Sequence, residues 1–71
     1  MPDEIRDRII DLFWEGIADV SWEDWCSISA GDKENIVVDT IVDLGMVVNP
    51  IEVLDLFWEW ASVLEESDFE D

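Results

Sequence analysis

The chain has 71 residues, with 20 Asp or Glu against 3 Lys or Arg, no His, a formal net charge of −17, and 49% hydrophobic residues that include five Trp. That balance excludes direct binding to nucleic acid phosphates or anionic membrane surfaces, which calls for Lys and Arg, and it leaves out the usual His and Cys metal sets and the His-based catalytic sets. The length allows one domain with a small core, the apolar content is too high for a disordered acidic tail, no apolar run reaches the roughly 18 residues of a membrane span, and the lone Cys26 implies a reducing, cytosolic setting.

Four segments read as helix. The first runs from about Asp3 to Ala18, with Pro2 at its start, acids in its first turn and Ile5, Ile9, Leu12, Phe13 and Ile17 at helical spacing. The start Met1-Pro2-Asp3-Glu4 lacks the basic residues of a signal peptide. The second is short, Trp22 to Ile28, and Ser21-Trp22-Glu23-Asp24 has the form of a capping box with Asp in the acid position. Its Trp22 and Trp25 read as core wedges.

The third segment runs from about Lys33 to Leu44, with Asp32 as N-cap and Gly45 as the left-handed residue that ends it. Its run of β-branched residues, Ile36 to Val42, favours strand. Strict alternation is absent and no partner strand is visible, so helix is the expectation. The fourth begins at Asn49-Pro50-Ile51-Glu52, an N-cap followed by Pro at the first helical position. Leu54, Phe57, Trp58, Ala61 and Leu64 are read as its apolar stripe. Residues 65–71 hold five acids in seven and are expected to fray. The expected architecture is all-α, a small bundle of three to four helices in one acidic domain over residues 1–71.

One pentapeptide occurs twice, as Asp11-Leu12-Phe13-Trp14-Glu15 and Asp55-Leu56-Phe57-Trp58-Glu59. Two helices offering equivalent faces would explain it. Chance combined with a shared need for amphipathic helix is the simpler account, because nothing else repeats.

The acids are ordered. Asp3, Asp7, Asp11, Glu15 and Asp19 follow at intervals of four, about one carboxylate every 6 Å of helix, drifting about 40° per step. Asp39 and Asp43 align with Asp32 on the third helix, and Glu52, Asp55 and Glu59 align on the fourth, ahead of Glu66. Solvated faces are the usual meaning of such runs. Solubility, however, needs a net charge of only about 2–8 in a small domain, and each like-charge i,i+4 pair destabilises a helix by roughly 0.2–0.5 kcal/mol. Only Arg6, Arg8 and Lys33 give relief, with Arg8 at helical spacing from Glu4 and Asp11. A strongly basic partner is the natural use for this surface.

In size, acidity and stripe pattern the chain resembles the small acidic proteins of phages and mobile elements that block host defence nucleases, the DNA-mimic anti-CRISPR and anti-restriction proteins. The resemblance implies a soluble, non-catalytic inhibitor in the bacterial host cytoplasm, without cofactor or metal. Its partner would be a basic nucleic-acid-binding protein, a CRISPR effector subunit or another defence nuclease. The candidate partner-binding residues are Asp3, Asp7, Asp11, Trp14, Glu15, Asp19, Asp39, Asp43, Glu52, Asp55 and Glu59. Trp14, flanked by acids, would stack on a partner arginine or pack in the core or a dimer interface; Trp58 fits the core or a dimer interface better, and leftover apolar surface would allow a homodimer.

Other readings are weaker or share the same electrostatics. A chain this short has little room for a substrate cleft, so an enzyme is not expected. No Asp-x-Asp-x-Asp-Gly calcium loop is present. Asp43-Leu44-Gly45 is similar to the approach to an acyl-carrier attachment site, but the required Asp-Ser-Leu is absent. An immunity protein or antitoxin against a basic nuclease or toxin, and a halophilic domain without such a partner, stay open at this point.

Overall fold

The computed structural model describes residues 2–69. They form α1 (Asp3–Gly16), α2 (Trp22–Ser27), α3 (Ala30–Leu44) and α4 (Pro50–Ser62), then a 3-10 turn at Glu66–Phe69, with no strand among the described residues. The architecture is all-α, and the β-branched third segment is helical. Tertiary packing decides that segment. Val37 and Thr40 are buried against the other helices and Ile36, Ile41 and Leu44 pack beside them. The Thr40 hydroxyl donates to the Ile36 carbonyl at 2.7 Å, so its burial leaves no polar group unpaired.

The helix boundaries follow local chemistry. The Ser21 hydroxyl accepts from the Asp24 N–H at 3.2 Å, and the Asn49 side-chain oxygen accepts from the Ile51 N–H at 3.0 Å. Gly45 adopts φ 68° and stops α3 in the left-handed conformation that glycine takes without penalty.

The third helix begins earlier than the sequence reading places it. Its N-cap is Ser29, whose hydroxyl accepts from the Asp32 N–H at 3.2 Å, so Asp32 is not the cap. Ser29-x-x-Asp32 repeats the pattern of Ser21-x-x-Asp24. Gly31 masks it, because glycine is a poor helix former, yet one glycine in a first turn costs only about 1 kcal/mol. The first helix ends at Gly16, not Ala18, which leaves Asp19 in the following turn.

The buried stripe of α4 also differs from the expected one. Val53, Leu56, Phe57 and Trp60 are buried, whereas Leu54, Ala61 and Leu64 are half-buried and Trp58 is 37% exposed. The helix is apolar on nearly every side, so periodicity alone does not choose its inner face. Within the segment read as a frayed tail, Glu66–Phe69 make the 3-10 turn, the Asp68 carboxylate accepts from the Glu65 N–H at 2.8 Å, and Phe69 packs on Trp22 and Trp25. Residues 70 and 71, the rest of that segment, lie outside the described residues.

The core is built on rings. Phe13 and Phe57 are fully buried and meet edge to face, with centroids 5.3 Å apart. Trp60 contacts Phe13, Phe57, Trp25 and, at right angles, Trp14. Through Trp25, Phe69 and Phe57 the network extends to Trp22 and Trp58, so all eight aromatic residues are joined. Such rings bury large apolar areas, and well-oriented pairs add roughly 0.5–1.5 kcal/mol each beyond area.

Ser29→Ala lowers unfolding stability by about 1 kcal/mol in urea titration followed by circular dichroism; an unchanged midpoint would return the cap to Asp32. Phe57→Ala costs about 3–5 kcal/mol, whereas Val63→Ala, at a site 69% exposed, stays within roughly 0.5 kcal/mol of the parent.

Candidate partner-binding grooves

The repeated pentapeptide organises the surface. Residues 6–15 and 50–59 have the same burial class at every one of their ten positions. Ile9 matches Val53 and Phe13 matches Phe57, each fully buried; Trp14 and Trp58 are both 37% exposed. The two helices therefore bury equivalent faces, as amphipathic helices sharing this pentapeptide do even where the repeat itself arises by chance. The match ends at Gly16 and Trp60. Trp60 fills the core, while a Cβ on Gly16 would lie 3.0 Å from the Ile36 side chain, so glycine lets α3 come close.

Each copy donates its leucine and its glutamate to a groove. Asp55, Leu56 and Glu59 of α4, with Glu52, line a shallow depression together with Arg6 of α1. The Arg6 Nη2 lies 4.0 Å from the Glu59 Oε1, the one ion pair among the described residues. Leu12 and Glu15 of α1, with Gly16, line a second groove of about 260 Å³ against Ile36, Asp39, Thr40, Val42 and Asp43 of α3. No cation lines this second groove. Thus α4 turns to α1 the same edge that α1 turns to α3, and only the first of these edges meets an arginine.

All the candidate acids are exposed: Asp3, Asp7, Asp11 and Glu15 on α1, Asp19 in the turn after it, Asp39 and Asp43 on α3, and Glu52, Asp55 and Glu59 on α4. The structure brings Glu15 together with Asp39 and Asp43, and Glu52, Asp55 and Glu59 with Arg6, while Asp3, Asp7, Asp11 and Asp19 line neither groove. Winding of the α1 row carries Glu15 round to the α3 side, opposite Asp39 and Asp43. The α4 row converges on Arg6. Glu66 stands off that row, beyond the end of α4. Trp14 packs one edge of its environment on Trp60 and keeps part of its surface in solvent.

The three bases are spent unevenly. Arg6 pairs with Glu59, and the Lys33 ammonium sits 4.5 Å from the centre of the Trp25 ring, an internal cation–π contact. Arg8 forms no ion pair among the described residues, with Glu4 and Asp11 included. No group of carboxylates or thiol among them converges closely enough to hold a metal ion. No described helix is long and apolar enough to cross a membrane.

Sequence reasoning passed over Leu12, Gly16, Ile36 and Val42 as groove residues. The available signal was Gly16, an isolated glycine within a helical pattern, which marks close approach of another backbone or side chain. Comparison of the chain with protein-family models, with curated proteins and with solved structures finds no match.

The pairing of Arg6 has a measurable limit. Both partners are largely exposed, so Arg6→Gln lowers stability by no more than about 1 kcal/mol at low salt. Thermal melts should show the difference shrinking as salt is added, while the melting temperature of the parent itself rises because the remaining acids are screened.

Proposed function

We propose that this protein is a non-catalytic inhibitor that occupies the nucleic-acid-binding surface of a basic target, in the first place a CRISPR effector, in the cytoplasm of a bacterial host. The observation that carries the reading is the density of exposed, unpaired carboxylate on a rigid body. Acids outnumber bases by 15 within residues 2–69, on a body whose long axis is 33 Å. That is about one net charge per 2 Å, against roughly one per 1.7 Å of duplex axis, and the length is close to one duplex turn of about 34–36 Å. A groove that attracts phosphates attracts this surface by the same field.

Three features support the reading. The acids lie in rows fixed by helix geometry, so they keep their spacing when a partner approaches. Internal neutralisation among the described residues is slight: one ion pair at 4.0 Å and one ammonium on a ring. Trp14 adds an aromatic surface beside Asp7 and Asp11, suited to a partner arginine.

The test is displacement of labelled target DNA from purified CRISPR effector complexes at several salt concentrations. The parent protein blocks loading, and raising salt weakens the block steeply. Replacing Asp7, Asp11 and Glu15 by Asn, Asn and Gln leaves the helical spectrum intact, weakens inhibition by at least about tenfold and flattens its salt dependence. Trp14→Ala weakens inhibition with little change in salt dependence. Full inhibition by the neutralised variant, together with its loss in Trp14→Ala, would reject the mimic reading in favour of apolar recognition. Inhibition of a basic nuclease or toxin but of no CRISPR effector would move the assignment to an immunity protein.

A further inference from the structure

Beyond Leu64, which packs on the core, the chain is held to the body by one side chain. Residues 65–68 are exposed, and only Phe69 turns inward, its ring centroid 5.3 Å from that of Trp22 and 6.1 Å from that of Trp25. The hydrogen bonds of the segment close on itself. The Asp68 N–H donates to the Glu65 carbonyl at 3.0 Å, and the Asp68 carboxylate accepts from the Glu65 N–H at 2.8 Å. Among the described residues no hydrogen bond joins residues 65–69 to the four helices. The segment also brings Glu65, Glu66 and Asp68 to an acidic body, where α2 carries the exposed Glu23 and Asp24 beside Trp22. Lys33 stands at the same cleft, its ammonium 4.5 Å from the centre of the Trp25 ring, yet among the described residues it pairs with no carboxylate.

We infer that residues 65–69 form a latch over the Trp22–Trp25 cleft, closed by Phe69 and opposed by charge, so that ionic strength sets whether the cleft is covered. Ring contact and apolar burial hold the latch shut, and simple salt does not weaken them. Repulsion between the segment and the body pushes it open, and its reach shrinks from about 30 Å at 0.01 M salt to about 3 Å at 1 M. Ordering the segment also costs backbone entropy, with one ring seated in return. Terms of opposite sign and similar size leave two states that a modest change in repulsion can exchange. Opening bares the Trp22 ring, half-buried when the latch is shut, and lifts Phe69 from Trp25, while the contacts of Trp25 with Phe57 and Trp60 stay in place. A segment held by attraction to Lys33 would behave in the opposite sense and loosen as salt is added. The inference is independent of the inhibitor reading, because it concerns only the chain's own rings and charges.

The test is amide and indole NMR on the full ¹⁵N-labelled chain, well below its melting temperature, in sodium chloride from about 10 mM to about 1 M. Phe69 is only half-buried, so Phe69→Ala keeps the fold and supplies the signals of the open state. In the parent, the Trp22 indole N–H and the Glu65 and Asp68 amides should move together, toward the Phe69→Ala positions at low salt and away from them at high salt. The closed-to-open ratio should rise at least about threefold across the series, and the same signals in Phe69→Ala should change little. Glu66→Gln, at an exposed side chain of the segment, should raise the closed fraction at low salt. Glu52→Gln removes the same charge in the first turn of α4, about 15 Å along the helix from its end, and should raise it less. Parent signals that ignore salt, whether apart from the Phe69→Ala positions or coincident with them, would overturn the inference. Movement toward those positions as salt rises would overturn it as well, in favour of a segment held by Lys33.

Discussion

One apolar seam holds together four surfaces that repel one another. Phe13 from α1 and Phe57 from α4 meet at its centre, Trp60 closes it on one side and Trp25 carries it into α2 and Phe69. Burial of each such ring contributes about 1.5–3 kcal/mol or more. Against it stand the like-charge pairs along α1, α3 and α4, each costing a few tenths of a kcal/mol locally, and the wider repulsion of a body carrying so few bases. A small domain buries little surface, so four large rings buried beside six aliphatic side chains strengthen a seam that the charge outside opposes. The same three bases cannot serve a partner surface and neutralise the body, and two of them are committed inside the molecule.

The repeat shows how this compromise is organised. One edge, carrying leucine and glutamate a helical turn apart, is used twice. Beside α1 it meets Arg6, 4.0 Å from Glu59; beside α3 it meets Asp39 and Asp43. Reuse of a helix edge in this head-to-tail sense gives a shallow depression that includes an arginine and a deeper groove that does not, so the surroundings of the edge differ even where its own residues repeat. The break in the match at Gly16 and Trp60 sets the asymmetry: a small residue where helices must approach, a large one where the core must be filled.

The fold class and most boundaries were legible, because caps and stop signals act locally. Ser21, Asn49 and Gly45 each do in the structure what their chemistry predicts. The start of α3 was not, since Gly31 obscured a serine cap whose pattern had already appeared once in the chain. The inner face of α4 was not, because apolar residues flank its one acidic row on both sides and periodicity does not choose between them. Residues 6–15 held that information: aligned through the shared pentapeptide, Ile9, Leu12 and Phe13 point to Val53, Leu56 and Phe57. For the candidate site, exposure of the acids was legible from composition and helix spacing. The meeting of Glu15 with Asp39 and Asp43, and of Arg6 with Glu59, was not, because it depends on which helices become neighbours, a long-range fact that no local pattern encodes.

Trp60 is buried, and its indole N–H has no hydrogen-bond acceptor among the described residues. The ring of Trp14 stands perpendicular to it with centroids 5.2 Å apart, and Trp14 also reaches solvent. Two indoles at that distance share their electronic excitation, so light absorbed by the buried ring is felt at the surface one. A molecule landing on Trp14 would then change the emission and the near-ultraviolet ellipticity of the core itself. The protein carries, without any label, an optical reporter with one end in the hydrophobic interior and the other at the acidic face.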